Sequence, residues 1–520
     1  MPIDAVPTPF SMARYCVTEP AAAHPDKDAL VVVHAAPVDG PLEASRWTFA
    51  EVEEAVGECA RRLAGLGLDR GDRVLLRMGN RAAFPFAFFG AMAAGLVAVP
   101  TSSQLTVEEI DWILADSGAR AVVLDPSLPL TVPDGMPVIL ADDVDGPVTG
   151  TPVPARAAAR LTDEGLPVET DPDEPAFMTY TSGTTGRPKG VLHAHRSAWG
   201  RRPMHDGWYG LREDDVMLHA GALNWTYTLG VGLTDPWAKG ATAVVYDGPR
   251  DGLVWPRLVA ATGATLFAAV PGVYRHLLRH GDPTTWDLGA LRHGLVAGEA
   301  LPRTVLEGWQ EVTGRPLYES LGMSEISTFV SSGPSTPVRP GSPGRAQPGR
   351  RVVALDPDTL DREVAPGELG RLAVHRSDPG LMLGYWQRPE ADAEVFHGEW
   401  FVSADLVRID ADGYLTYEGR ADDVMNAMGY RVSPAEVEGV VASCSGVAEV
   451  AVVAVDKGEG VSLVTAVVVP VEGADRSSLP DAVLAHAREH LAAYKCPREV
   501  RVVDALPRTP NGKIRRADLR

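Results

Sequence analysis

Along most of the chain, short apolar blocks alternate with longer amphipathic stretches. The blocks "GDRVLLRM" (71–78), "GLVAVPT" (95–101), "ARAVVLD" (119–125), "ATAVVYD" (241–247) and "GATLFAAV" (263–270) have the pattern of buried strands. Between them, stretches such as "FAEVEEAVGECARRLAGLG" (49–67) predict helices, and Thr106 to Glu109 forms a Thr-x-x-Glu capping box opening another. This alternation predicts an α/β fold, with parallel or mixed sheets covered by helices. The uncharged stretch "FPFAFFGAMAAGLVAVP" (84–100) is interrupted by Pro85, Gly90, Gly95 and Pro100. It is short against the roughly 20 residues of a membrane span. It predicts a buried helix running into a buried strand, and no span.

The pattern changes twice. Residues 331–350, "SSGPSTPVRPGSPGRAQPGR", are rich in Pro, Gly and Ser, and short alternating strands follow, which predicts a small β subdomain. Near 420 a compact unit of α+β pattern begins. Ser433 to Glu436 is a capping box with Pro434 at the first helical position. Strands at 448–456 and 462–471, a helix at 481–494 and a strand at 499–506 complete it. The expected organisation is a large N-terminal domain of helix-covered mixed sheets over 1–420, with its β subdomain over about 331–420. A small mobile α+β C-terminal domain follows over 421–520. A chain of 520 residues is too long for one ordinary core.

Composition narrows the function classes. A net charge of −21 argues against a general nucleic-acid or anionic-membrane surface. The cysteines Cys16, Cys59, Cys444 and Cys496 show no metal or disulfide spacing, and the first residues lack a basic segment followed by an apolar run. A reducing, cytoplasmic setting is expected. His193 and His195 have no acidic ligands nearby, so no zinc site is expected there.

The densest chemistry lies in "YTSGTTGRPKG" (180–190), which follows the strand "PAFMTY" (175–180) and precedes a helix-compatible stretch. Its glycines let backbone N–H groups converge, its hydroxyls add donors, and Lys189 adds positive charge. Thr181, Ser182, Gly183, Thr184, Thr185 and Gly186 therefore read as a phosphate cradle. The common P-loop would place Gly-Lys-Ser/Thr at its end, and this segment does not. Glu325, after the probable strand "RPLYES", offers a hard carboxylate oxygen suited to Mg²⁺ on a triphosphate.

"YTSGTTGRPKG" resembles the signature of the adenylate-forming enzymes: acyl- and aryl-CoA synthetases, adenylation domains of peptide synthetases, and luciferases. "AGEAL" (297–301), "LGMSE" (321–325), "GELGRL" with "GYWQRPE" (367–390), "WFVSADL" (400–406), "GRADDVMNAMGYRVSPAEVE" (419–438) and "LPRTPNGKIRR" (506–516) follow in the family's order. The resemblance implies nucleotide contacts from Gly298, Glu299, Ala300, Leu321, Gly322, Met323 and Ser324. It implies that Asp405 binds ribose hydroxyls and Glu325 binds Mg²⁺, with Thr185 as a second metal contact. Arg420 and Arg431 are ribose or phosphate contacts, or surface ion pairs. Lys513 is implied to bridge the reacting carboxylate and the α-phosphate, Asp422 to be a hinge, and Gly429 to flank the coenzyme A path. Leu321 stands where many members have an aromatic residue, Ser324 replaces a frequent threonine, Asn426 a frequent lysine and Ala404 a frequent glycine.

The implied reaction has two steps. ATP activates a carboxylic acid to an acyl-adenylate, and the thiol of coenzyme A then takes the acyl group. Asn224, Trp225, Tyr227, Ala297, Gly298 and Met323 form an apolar, partly aromatic acyl pocket. It suits an aryl or medium-sized alkyl acid, and 223–244 resembles the benzoate and medium-chain acyl-CoA ligase branch. Two alternatives remain: a stand-alone enzyme that loads a carrier-protein pantetheine, and a catalytically inactive nucleotide-binding regulator. The expected partners are ATP, the acid, coenzyme A and Mg²⁺, on a monomer or homodimer.

Overall fold

The computed structural model describes residues 3–36, 40–145, 165–181, 188–249, 251–421, 425–427, 430–432, 434–456, 462–491, 495–508 and 514–520. The chain forms two compact units, Met1–Arg351 with His375–Glu399, and Val352–Val374 with Trp400–Arg520.

The first unit holds a 7-stranded sheet. Across it run β18 (Gly384–Tyr385), β8 (Lys189–Ala194), β7 (Pro175–Thr181), β4 (Val97–Thr101), β3 (Arg73–Arg77), β5 (Ala121–Leu124) and β6 (Val138–Leu140). Its strands are parallel from β7 to β6, and antiparallel where β8 and β18 are added. The other strands of this unit lie in the order β15 (Gly344–Ala346), β14 (Ser327–Ser331), β13 (Leu317–Met323), β12 (His293–Ala297), β11 (Leu266–Ala269), β9 (Val216–His219), β10 (Thr242–Tyr246), β1 (Asp28–Ala35) and β2 (Glu43–Thr48). They are parallel from β13 to β1. A short strand, β19 (Phe396–His397), closes the unit's sequence.

The helices Phe49–Ala64 and Ala83–Ala93 share one core with β1 and β10 of one sheet and with β3, β4 and β5 of the other. Ala83–Ala93 is buried along its whole length, which explains why it is apolar on every side. It runs into β4, as the sequence predicts. Among the described residues no helix is long and apolar enough to cross a membrane. The Thr106 capping box forms: the Thr106 hydroxyl accepts from Glu109 N–H, and the Glu109 carboxylate accepts from Thr106 N–H at 2.8 Å.

One reading is corrected. The stretch after 180–190 is a strand, β8, and not a helix; Thr181 and Lys189 face each other as register partners. Pairing along β7 decides the local structure there.

In the second unit β16 (Val352–Leu355), β17 (Leu369–His375), β20 (Trp400–Ile409) and β21 (Tyr414–Arg420) lie in that order. β22 (Met425–Ala427) and β23 (Tyr430–Val432) form a two-stranded pair. β24 (Val447–Asp456), β25 (Ser462–Pro470) and β26 (Glu499–Val502) form a 3-stranded sheet, with helices Pro434–Ala442 and Leu479–His490. Ser433 lies outside the described residues, as do 492–494 at the end of the helix expected over 481–494.

Four buried histidines make the first unit acid-sensitive. Burial holds His193, His195 and His293 at about 4 and His219 at about 3, below the ordinary histidine value. Below pH 6.5 the unfolded chain takes up protons that the folded chain refuses, so stability is fully present above that value and falls with pH. Each such histidine costs about 1.4 kcal/mol per pH unit. Thermal unfolding should therefore show a clear drop in midpoint from pH 7 to pH 5; equal midpoints would contradict this burial.

Candidate active site

The turn between β13 and β14 carries Glu325. Its strands come so close that a Cβ at Gly322 would lie 2.4 Å from the Ser327 carbonyl oxygen and 2.7 Å from Thr328 Cα. Only glycine fits that approach. Ser327 adopts a left-handed conformation with φ +69, which is uncommon for a residue with a side chain. The buried Arg201 donates to its hydroxyl. Asp235 holds Arg201 through two hydrogen bonds of 2.7 Å and also accepts from the Tyr209 hydroxyl at 2.7 Å. Burial pushes the Asp235 carboxyl up, but Arg201 and His205 outweigh it and bring it to about 2.

Three further contacts fix the turn. His193 stacks on Phe177 with ring centroids 4.7 Å apart. Burial keeps it neutral, and its Nε2–H donates to the Ser324 carbonyl at 2.8 Å. Met382 N–H donates to the Glu325 carbonyl at 2.8 Å. The Tyr385 hydroxyl donates to Glu325 Oε1 at 2.7 Å. Lys189 Nζ stands 5.2 Å from the centre of the same Tyr385 ring, a cation–π distance. One phenol thus touches both the lysine and the carboxylate that the sequence singles out.

Tyr385 is placed by β18, where it pairs with Val191 of β8, and by its N–H, which donates to Asp392 Oδ1 at 2.8 Å. The start of the Gly/Thr segment is tied as well. The Tyr180 hydroxyl donates to Asp116 Oδ2 at 2.8 Å, and Asp116 pairs with Arg388 at 2.5 Å. Ser182, Gly183, Thr184, Thr185 and Gly186 lie outside the described residues; Thr181 is half-buried.

Beside this turn β12 ends at the buried Ala297. Gly298, at φ +95, and Ala300 are exposed and Glu299 is half-buried, before the chain buries Leu301. Leu321, Gly322, Met323 and Ser324 are half-buried along the end of β13. In the expected acyl segment, Asn224 and Trp225 are half-buried just before the short helix Thr226–Leu229. Asn80 braces that approach, donating to Gly221 O at 2.9 Å and accepting from Leu223 N–H at 2.9 Å. Tyr227 packs in one core cluster with Ala297. Its hydroxyl points to the carbonyls of Ala269 and Leu295, both at 3.4 Å, and its ring meets His219 edge-on at 4.5 Å.

In the second unit Asp405 of β20 is the register partner of Arg420 on β21. Arg420 lies 3.8 Å from Asp405 Oδ1, and the Tyr417 hydroxyl donates to the same oxygen at 3.4 Å. Arg431 is the backbone register partner of Asn426 in the β22–β23 pair. Arg508 and Ile514 bridge each other on either side of 509–513. Lys513 itself, Asp422 and Gly429 lie outside the described residues.

Sequence reasoning did not single out Tyr385, Tyr417, Asn80 or the Arg201–Asp235 pair. Tyr385 had a signal, since it stands inside "GYWQRPE"; a tyrosine in a short strand otherwise reads as packing.

The AMP-binding enzyme family model matches residues 17–386, and the AMP-binding enzyme C-terminal domain matches 436–513. The 3-hydroxybenzoate–CoA ligase of Aromatoleum sp. (strain CIB) is 33% identical over 490 residues, covering 91% of each chain. The benzoate–CoA ligase of Thauera aromatica is 35% identical over 490 residues, covering 92% of this chain and 91% of the relative. Among solved structures, an anthranilate CoA ligase in complex with anthranoyl-AMP superposes with a TM-score of 0.84 at 27% identity, over 100% of this chain and 98% of that one. A benzoate CoA ligase from Burkholderia xenovorans LB400 gives 0.80 at 29% identity, over 98% and 100%. Matched over residues 17–386 of 520, the chain belongs to the AMP-binding, adenylate-forming enzyme family, on its benzoate–CoA-ligase-like branch.

Proposed function

We propose that the protein is an AMP-forming carboxylic acid:CoA ligase acting on aromatic acids. The observation that carries this reading is the joining of Lys189 and Glu325 through Tyr385, in a chain that aryl-CoA ligases match along nine-tenths of its length.

A carboxylate is a poor acylating agent. In the first step its oxygen attacks the α-phosphorus of ATP, the bond to the bridging oxygen breaks, and pyrophosphate leaves with the acyl-adenylate formed. Lys189 and the segment Thr181 to Gly186 would hold the leaving phosphates. Lys513 would offset negative charge while one anion attacks another, an electrostatic role of the kind that dominates phosphoryl transfer. Asp405 would accept hydrogen bonds from the ribose hydroxyls, with Arg420 beside it. In the second step the thiol of coenzyme A attacks the acyl carbon and AMP leaves. Asp422 would be the hinge that lets Lys513 withdraw, and Gly429 would flank the pantetheine arm.

Mg²⁺ fits the donor set. Among the described residues no group of His, Cys, Asp and Glu side chains forms a metal cage. A half-buried Glu325 carboxylate, with Tyr385 on Oε1, suits an ion that takes its other ligands from phosphate and water. Bound there, the ion would supply charge neutralisation on the triphosphate. The acid would lie by Trp225, Tyr227, Ala297 and Met323, an aromatic and small-residue wall. Cys16, Cys59, Cys444 and Cys496 are buried thiols outside any disulfide, which supports a reducing, cytoplasmic setting.

Given ATP, Mg²⁺, benzoate or 3-hydroxybenzoate, and CoA, the enzyme should release AMP and form the aryl thioester. AMP release that ignores CoA and needs a carrier protein would favour the carrier-loading alternative. Lys513→Ala should lower acid-dependent ATP–pyrophosphate exchange by at least about 100-fold; full retention removes Lys513 from adenylation. Tyr385→Phe keeps the ring under Lys189 but removes the hydrogen bond to Glu325. It should lower kcat by about threefold to tenfold and raise the Mg²⁺ concentration needed for half activity; an unchanged Mg²⁺ dependence would separate Tyr385 from the metal carboxylate.

A further inference from the structure

The helix Leu479–His490 buries Leu479, Val483 and Ala487, a stripe of i, i+4 spacing. Leu479 and Val483 share a core cluster with Val437 and Val441 of the helix Pro434–Ala442. The neighbouring stripe, of the same spacing, carries His486, half-buried, and His490, exposed. Their ring centroids stand 4.3 Å apart, with the planes at 33°. Residues four apart share one helix face, so two imidazoles there are placed to grip one ion.

Each ring has one nitrogen already committed. Ser443, just past the helix Pro434–Ala442, donates its hydroxyl to Val440 O at 2.7 Å, so the same oxygen accepts from His486 Nε2–H at 2.8 Å. His490 Nδ1–H donates to His486 O at 2.9 Å. The lone pairs left are those of His486 Nδ1 and His490 Nε2. A metal-ligating histidine characteristically gives its other N–H to such an acceptor, which fixes the ring and its tautomer. A second pair of the same spacing, His276 and His280 on the helix Pro271–His280, has its rings 4.8 Å apart. Among the described residues neither of those rings makes a hydrogen bond.

The surrounding charge favours a cation. His490 closes its helix, where the negative end of the helix dipole lies. Glu489, three residues after His486, is exposed on the same side and adds negative charge, which the exposed Arg488 opposes. The whole chain carries −21.

We propose that His486 Nδ1 and His490 Nε2 chelate one divalent ion of the Zn²⁺ and Cu²⁺ class, with water in its remaining positions and Ser443 as the positioning residue for His486. Two nitrogens each about 2.1 Å from a tetrahedral ion stand roughly 3.4 Å apart, a span that rings 4.3 Å apart can present. Imidazole suits such ions, whereas Mg²⁺ takes oxygen. The site is therefore chemically distinct from the Glu325 carboxylate, which belongs to the other unit. It does not rest on the ligase reading. An ion bound there stabilises the second unit by mass action, because the pair is assembled only in the folded helix.

The test is calorimetric titration of Zn²⁺ into the full chain without ATP, for wild type, His486→Ala, His490→Ala, Ser443→Ala and His276→Ala, with thermal unfolding of each. Wild type and His276→Ala should share one tight site of equal affinity. His486→Ala and His490→Ala should each weaken it by at least about tenfold, and Ser443→Ala by about tenfold. Zn²⁺ should raise the unfolding midpoint of wild type and leave that of His486→Ala unchanged. Affinity in His486→Ala and His490→Ala within about twofold of wild type, or loss of the tight site in His276→Ala, overturns the assignment. Unchanged affinity in Ser443→Ala removes Ser443 from it. If either helix variant fails to fold, electron paramagnetic resonance of Cu²⁺-loaded His276→Ala decides. Coupling to two imidazole nitrogens supports the pair, and its absence overturns it.

Discussion

A half-buried carboxylate on a tight turn must be held against its own flexibility, and the geometry around Glu325 depends on that constraint. His193 holds the carbonyl before it, Met382 its own carbonyl, Tyr385 its side chain, and Arg201 the left-handed Ser327 after it. These groups come from β8, from the segment leading into β18, from β18 and from the stretch after β8. The turn is thus over-determined, as a strained functional residue requires. Arg201 is itself buried, and a buried guanidinium is tolerated only with a paired carboxylate. Asp235 supplies it.

The same strands place the cation. Lys189 opens β8, two residues before Val191, which pairs with Tyr385. The antiparallel addition of β8 and β18 to an otherwise parallel sheet therefore brings Lys189, Tyr385 and Glu325 together. The helices Phe49–Ala64 and Ala83–Ala93, packed between the two sheets, provide the common core on which these strand ends are set.

The sequence made the alternating architecture legible because strands buried on both faces read as unbroken apolar runs, as in β3, β4 and β5. The all-apolar stretch beginning at Phe84 was legible for the same reason, since a helix covered by two sheets needs no polar side. The stretch "KGVLHAH" was not, because its leucine, histidines and alanine are equally at home in a helix. Its state is set by pairing with β7, a contact between segments that local pattern does not encode. Within the candidate site, Lys189 stood out as a cation in a glycine-rich segment, and Glu325, Asp405 and Arg420 because they stand in stretches that resemble the family's motifs. Tyr385 did not, since it acts through a hydrogen bond to a distant part of the chain, and Tyr417 did not, since its bond to Asp405 depends on how β20 and β21 pair.

The central claim is that an aromatic acid is activated as its adenylate before any thiol is involved. Mass spectrometry of the enzyme incubated with MgATP and benzoate or 3-hydroxybenzoate, without CoA, tests this most directly. The account predicts an aryl-AMP species that disappears on adding CoA, as aryl-CoA and AMP accumulate. Failure to find an adenylate with any aromatic acid, or a reaction that yields ADP and phosphate, would contradict it.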